Sequence, residues 1–331
     1  AYRWNEDGIA GICDRLQTFC LGLTLWNGKD KILKERFFGL SGNTGVHGED
    51  VKEYYYYLDS TPTHSYLKFL YKYPHAAFPY EQLYRENAAR DKSAREYELI
   101  DTGIFDDERY FDVFVEYAKA SPTDICVRMT VVNRGPDPAP IQLLPTVWFR
   151  NTWTWTDSAE KGVLSARNGL DRDGLRITKG SQCNYYLFFE GAPEPLFCEN
   201  ETNGQALFNV ANASSFTKDG IGRYIVNGEP GAVNPHMTGS KASLRYQYNI
   251  PPGGTETIYL RLTNSDVPTT GDLAKTCKAV FDKRIDEADE FYAGVIPANL
   301  SEDGRRIMRQ SLAGLMWSKQ YYHYEVRQWL E

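Results

Sequence analysis

The chain lacks several features that would place it quickly. It has no run of basic residues, and its formal net charge is −7. That argues against nucleic acid and anionic membrane surfaces as partners. No apolar run approaches the roughly 18 residues that a membrane helix needs. No Cys-x-x-Cys pair is present, and the six cysteines at 13, 20, 126, 183, 198 and 277 are scattered. This distribution suits buried thiols in a reducing, cytoplasmic setting better than a disulfide framework or a zinc site. No serine sits in a Gly-x-Ser-x-Gly elbow and no cysteine has a recognisable histidine partner, so a nucleophilic triad is not expected. The glycine-rich loop Ser41–Gly48 lacks the Gly-Lys-Ser/Thr ending of a phosphate loop, and no strand-loop-helix pattern surrounds it. No internal repeat of regular period is visible.

What is present is a folded chain of 331 residues, 42% hydrophobic and 24% charged, long enough for one large domain or two ordinary ones. Aromatic residues reach 14%. Aromatics favour strands, and tyrosine and tryptophan add a polar handle to an apolar body, so a β-rich architecture with a recognition surface is expected. Three Asn-x-Ser/Thr sequons occur, at Asn200, Asn212 and Asn299. About two arise by chance in such a composition and do not establish secretion. The chain begins at Ala1 without a leader and stops at Glu331 inside a helical pattern. Both ends read as cuts in a longer polypeptide.

The densest stretch runs from Lys34 to Tyr80. It holds three of the five histidines and eight tyrosines, together with Glu35, Arg36, Glu49, Asp50, Glu53 and Asp59. Rings that stack on pyranose faces and carboxylates that take hydroxyls make this composition suit a sugar surface; the alternative is an aromatic-rich sheet edge with a solvated loop. Phe19 to Trp26 alternates as a strand and ends in the turn Asn27-Gly28, and Lys31–Leu40 reads as its hairpin partner. Glu53–Asp59 and Thr63–Tyr73 read as strands, and Tyr80–Arg95 as a polar helix. Residues 97–132 read as paired strands, including YELIDTGIF, YFDVFVEYAKA and ICVRMTVVN. Strands are also expected at 173–178, 183–191, 195–198, 206–208, 243–250 and 256–262. From Thr270 the period changes to that of a helix starting near Asp272, and a second helix is capped by Ser301.

Residue by residue, Glu49, Asp50 and Glu53 read either as carboxylates lining a sugar subsite or as a solvated loop and strand start. His47 beside them lacks a second histidine, so no metal is expected. Arg36 is suited to a bidentate carboxylate contact, in a subsite or in a structural ion pair. His64 either donates to a sugar hydroxyl or caps a turn. In FRNTWTW, Arg150, Trp153 and Trp155 form a second candidate, because the two indoles share one face of an extended segment; exposed they are a stacking platform, buried they are core. These eight residues, Arg36, Glu49, Asp50, Glu53, His64, Arg150, Trp153 and Trp155, are the candidate substrate contacts. Trp317, Tyr321, Tyr322, Tyr324 and Trp329 on the last helix are expected to pack between domains.

Six segments carry a resemblance to a known family: AYRWNEDGIAGICD, LTLWNGKDKILKERFFGL, GVHGEDVKEYYYYLDSTPTHSYLKFLYKYPHAAFPYEQL, YELIDTGIFDDERYFDVFVEYAKA, LLPTVWFRNTWTW and LMWSKQYYHYEVRQWL. They resemble the N-terminal part of bacterial glucosidase-like proteins related to glycoside hydrolase family 63. The resemblance implies a mainly β fold, an antiparallel super-β-sandwich over 1–268, followed by linker helices over 269–331 that lead to an (α/α)6 barrel beyond the chain. It implies an inverting enzyme that cleaves α-glucosidic bonds in an oligosaccharide or α-glucoside without metal or organic cofactor. Inversion needs an acid and a base roughly 6.5–9.5 Å apart, and the resemblance places both in the barrel, so no catalytic residue is assigned to this chain. Its expected task is to support the barrel and shape the substrate entrance. The alternatives are a non-catalytic carbohydrate-binding or scaffold module, and part of a sandwich-plus-barrel glycoside phosphorylase.

Overall fold

A computed structural model describes residues 8–40, 50–91, 93–154, 159–167, 174–181, 183–267, 272–317 and 326–330. In chain order the first strands are β1 (Ile9–Cys13), β2 (Phe19–Trp26), β3 (Gly39–Leu40), β4 (Asp50–Val51), β5 (Tyr55–Ser60), β6 (Tyr66–Pro74), β7 (Tyr110–Ser121) and β8 (Asp124–Asn133). They continue as β9 (Ala139–Phe149), β10 (Val163–Ala166), β11 (Gly174–Lys179), β12 (Cys183–Phe189), β13 (Glu194–Cys198), β14 (Thr238–Gly239), β15 (Lys241–Ile250) and β16 (Thr255–Thr263). The helices are α1 (Tyr80–Ala88), α2 (Gly204–Phe208), α3 (Gly220–Val226), α4 (Leu273–Val295), α5 (Glu302–Trp317) and α6 (Val326–Leu330).

The long strands form two antiparallel sheets. One has five strands in the order β1-β2-β9-β15-β13; the other has nine, in the order β14-β10-β11-β12-β16-β8-β7-β6-β5. Period-2 alternation explains why they face each other. Leu21, Leu23 and Leu25 of β2 and Ile141, Leu143 and Val147 of β9 meet Val113, Val115, Val127, Met129 and Val131 of β7 and β8 in one buried cluster. The architecture is a β-sandwich. Tyr117 donates its hydroxyl to the Ala10 carbonyl at 2.8 Å, a hydrogen bond from one sheet to the other.

The C-terminal helices pack on the nine-stranded sheet. Asp272 caps α4 through Lys275 N, as its position predicts. Cys277, Phe281 and Ala288 bury against Tyr66, Ala118 and Cys126, on the face opposite the core. There Arg128 binds Glu116 through two nitrogens at 2.8 and 2.9 Å, Tyr66 donates to the same carboxylate at 2.6 Å, and the guanidinium lies 4.4 Å from the Phe281 ring centroid. Ser301 accepts from Gly304 N at the start of α5. That helix runs along β5, tied by Arg309 to Asp59, and ends with the Trp317 indole in the core against Tyr57, Phe69 and Tyr117.

Four segments differ from their sequence patterns. YELIDTGIF forms no strand: Leu99–Thr102 is a 3-10 turn whose Asp101 carboxylate accepts from Glu98 N at 2.8 Å, so a capping interaction overrides the apolar alternation. Residues 206–208 lie in the short helix α2, started by Asn203 accepting from Ala206 N. Lys31–Leu40 pairs with β2 only at Leu25–Lys34, because the segment turns aside to place Lys34 among Phe78, Tyr80 and Glu53. The helix expected over Tyr80–Arg95 ends at Ala88. The turn at Asn27-Gly28 forms as expected, with Gly28 at φ +76°.

Trp317→Ala is expected to cost about 3–5 kcal/mol, read as a lowered urea midpoint; an unchanged midpoint would count against its role as the anchor of α5. A second prediction concerns His75, buried against Phe111 with ring centroids 4.3 Å apart. Burial first, and then the charges of Lys29 and Arg109, hold its pKa down at about 4 instead of 6.5. The unfolded chain therefore binds a proton that the folded chain refuses between those values. The stabilisation is complete above pH 6.5 and drains away as pH falls towards 4, by about 3 kcal/mol in all. In His75→Gln this share of the acid sensitivity disappears, so the stability difference between the two proteins should vary across pH 4–6.5.

Candidate functional site

The candidate residues fall into three places. Glu49 and Trp155 lie outside the described residues, and of Asp50 only the backbone pairing with Leu40 is described. Arg36 is half-buried.

Glu53 is fully enclosed. Its carboxylate takes an ion pair from Lys34 Nζ at 2.9 Å, a hydrogen bond from the Tyr71 hydroxyl at 2.5 Å, and another from Phe38 N. Neighbouring Asp30 accepts from Tyr80 and Tyr73 at 3.0 and 3.3 Å. Burial raises the Asp30 pKa, and the Lys34 charge opposes that rise. Glu53, Asp59, Tyr66, Tyr71 and Tyr73 of the Lys34–Tyr80 stretch are thus turned inward. Tyrosine hydroxyls serve buried carboxylates, and the rings of Tyr71 and Tyr73 are core. Glu53→Gln, which strands the Lys34 ammonium, should destabilise the chain by about 3–5 kcal/mol, seen as a lowered denaturation midpoint; a change below about 1 kcal/mol would contradict this account.

His64, Arg150 and Trp153 lie at the same end of the sandwich, His64 on the β5–β6 turn and the other two past the end of β9. Antiparallel register brings there the turns β1–β2, β5–β6, β7–β8 and β11–β12, the end of β9 and the end of β13. A cavity of about 610 Å³ opens between the sheets at this end. Its walls are apolar: Phe19 and Leu21 from one sheet, and Leu67, Tyr117, Ile125 and Leu262 from the other. Asp14, Arg15, His64 and Lys119 stand among the polar lining residues. His64 adopts φ +52° in a turn closed by its N–H to the Thr61 carbonyl, and its Nε2 lies 3.3 Å from the Met316 carbonyl. His64 is thus a turn residue that also lines the cavity. Arg150 N donates to Thr18 O at 3.2 Å and its Nη1 to Gln17 at 3.3 Å, so β9 holds the β1–β2 turn.

Beyond Arg150 the chain builds a half-exposed cluster of aromatic and charged groups. The Trp153 indole packs one side against the core and donates Nε1–H to Glu201 at 2.9 Å. Lys161 binds Glu201 at 2.7 Å and Glu199 at 2.9 Å, with its ammonium 5.4 Å from the indole centroid. Burial alone would raise the Glu201 pKa, but the hydrogen bonds from Lys161 and Trp153 hold it below the usual range. The same carboxylates hold the Lys161 pKa up against its burial. Asn151 donates to Asn200 O and Asn200 donates to Phe149 O, each at 2.9 Å, lacing the two loops together. Two sequon amides thereby have structural duties, since Asn212 likewise donates to Asn203 at 2.9 Å. Lys161, Glu199 and Glu201 were not singled out from the sequence. Glu199 and Glu201 sit two apart just past a strand, which places both carboxylates on one face, but 46 residues of sequence separate Glu199 from Trp153.

The cluster presents an indole edge, two carboxylates and an ammonium, the donor and acceptor set that polyhydroxylated ligands engage. Stacking a sugar on the free face of Trp153 requires the Lys161 ammonium to shift aside. Among the described residues no group of three or more histidine, cysteine or acidic side chains is placed to hold a metal ion. No described helix is long and apolar enough to cross a membrane.

No protein-family profile matches the chain. An uncharacterized protein of Saccharomyces cerevisiae is 38% identical over 370 aligned positions, covering 99% of this chain and 34% of the yeast protein. The chain thus spans about a third of the length of that relative. Among solved structures, a polysaccharide lyase overlaps 74% of the chain and 25% of its own length at 11% identity, with a TM-score of 0.32. A putative aldose 1-epimerase from Escherichia coli K12 overlaps 65% of the chain and 68% of its own length at 9% identity, with a TM-score of 0.27. Similarity at that level assigns neither fold nor chemistry.

Proposed function

We propose that this chain is the sandwich module of a carbohydrate-active enzyme of the glucosidase-like type related to glycoside hydrolase family 63. In this reading residues 1–268 form the sandwich, and 269–331 form the linker to an (α/α)6 barrel that carries the acid and base of an inverting hydrolysis. The module supports that barrel and contributes contacts at the substrate entrance. The protein works in the cytoplasm on an oligosaccharide or α-glucoside, with no metal or organic cofactor. The observation that carries the reading is the Trp153–Lys161–Glu199–Glu201 cluster beside Arg150, where an indole and ionised hydrogen-bonding groups converge at the loop end of a β-sandwich. The length of the yeast relative leaves room for a further domain. The pairing of buried carboxylates also supports it: Glu53, Asp112 and Glu116 are each bound by a cation inside the module, an arrangement that serves folding and not proton transfer.

The test compares the 331-residue chain with the longer protein on a panel of α-linked gluco-oligosaccharides, by product release and by calorimetry. The 331-residue chain should release no glucose, and the longer protein should. In the longer protein Trp153→Ala should weaken oligosaccharide binding at least about tenfold, or about 1.4 kcal/mol. Glycosidase turnover by the 331-residue chain would overturn the assignment of chemistry to a later domain. Unchanged binding in Trp153→Ala would overturn the assignment of sugar contacts to this cluster.

A further inference from the structure

The β1–β2 hairpin places Cys13 directly opposite Cys20. Directly opposed residues of an antiparallel pair put their side chains on one face of the sheet, with Cα atoms roughly 4.5–5.5 Å apart. That spacing lies inside the range of about 4.4–6.8 Å that a disulfide spans. The two residues differ in access, Cys13 being exposed and Cys20 buried. An accessible thiol with a second thiol held behind it is the arrangement of an attacking and a resolving cysteine. We propose that Cys13 and Cys20 form an oxidisable dithiol site, in which a hydroperoxide reacts at Cys13 and Cys20 closes the disulfide.

The surroundings favour Cys13 as the attacking group. A hydrogen bond from Cys20 is the strongest influence on it and lowers its pKa to about 7, against the opposing effects of partial burial and of Asp14. Burial drives other thiols the opposite way, Cys183 to about 11 and Cys198 to about 12. A second close pair, Cys126 and Cys277, is fully buried between the nine-stranded sheet and α4 and has no access to an oxidant. In the proposed step the Cys13 thiolate attacks the peroxide, the O–O bond breaks, and an alcohol (water, from hydrogen peroxide) leaves with a proton. The Cys13 sulfenic acid then condenses with the Cys20 thiol, forming the S–S bond and releasing water. Two thiols are oxidised and one peroxide is reduced, so electrons balance.

The bond would close a loop over Asp14–Phe19. This loop supplies Asp14, Arg15 and Leu16 to the cavity lining, and Gln17 and Thr18 to Arg150. Oxidation would therefore fix the lip of the cavity and the base of the Arg150 loop together.

The test uses the reduced 331-residue chain, hydrogen peroxide in slight excess at pH 7, alkylation of the remaining thiols, and tryptic mass mapping. Trypsin cuts after Arg3, Arg15 and Lys29, so the two cysteines fall in separate peptides. The expected product is Trp4–Arg15 joined to Leu16–Lys29 by a disulfide, with Cys126 and Cys277 still reduced. In Cys20→Ser, Cys13 should be trapped as a sulfenic acid by dimedone; in Cys13→Ser, Cys20 should stay reduced. Before oxidation, Cys13 should alkylate at least about tenfold faster than Cys20 at pH 7. Full alkylation of both cysteines after peroxide, or over-oxidation of Cys13 with Cys20 still a thiol, would overturn the proposal.

Discussion

The indole of Trp317 ties together the parts of this molecule that are most distant in sequence. It belongs to α5, it packs at tilted and edge-on angles among Tyr57, Phe69 and Tyr117 of the nine-stranded sheet, and its Nε1–H donates to the Gly11 carbonyl of the five-stranded sheet at 3.3 Å. Tyr117 makes a parallel connection through Ala10. Two amphipathic rings therefore seal the same edge, each with its body in the core and its polar atom on a backbone carbonyl of β1. The apolar cavity between the sheets opens at the loop end, beside this sealed edge.

The interior is unusually polar for a sandwich. Lys34, Lys52, Glu53, Asp59, Asp112 and Glu116 are all buried. Desolvating such groups costs more than a hydrophobic substitute would, unless each meets a partner, and each does. Lys34 sits between Glu53 and the rings of Phe78 and Tyr80; Lys52 meets Glu96 and Glu98; Glu116 meets Arg128 and Tyr66; Asp59 meets Arg309. These contacts join segments that hydrophobic packing alone would not orient. Here they attach residues 31–40 and 50–54 and the helices to the sheets. Tyr66, Tyr71, Tyr73 and Tyr80 have this explanation, because a phenol adds a donor for a buried carboxylate to an apolar ring.

The long strands and both C-terminal helices could be read from the sequence, because one periodicity dominates each of them. Strand β8 alternates Val127, Met129 and Val131 against Arg128 and Thr130, and α4 repeats Cys277, Phe281 and Ala288. The pattern failed where a local side-chain bond decides the backbone: Asp101 caps a turn inside YELIDTGIF, and Asn203 starts a helix where a strand was expected. It failed again at Lys34–Tyr80, since composition does not say which way a side chain points. Glu53 and Tyr71 have the chemistry of a sugar subsite and the position of a core pair. At the loop end, Arg150 and Trp153 are near neighbours in the sequence and visible there as a local group. Lys161, Glu199 and Glu201 are not, because only the strand register brings them to Trp153.

Helix α5 has a further consequence for how the molecule behaves in solution. It runs along β5, the last strand of the nine-stranded sheet, and is anchored there by Arg309 to Asp59 and by Trp317. An uncovered terminal strand offers unpaired backbone groups to any passing chain and is a common route to self-assembly. The opposite border is handled differently, by strand β14 of only two residues. Packed there, the helix shields β5 from pairing with another chain. A truncation that removes it would take Trp317 out of the core and bare the β5 border in one step, so loss of packing and gain of an adhesive edge would come together.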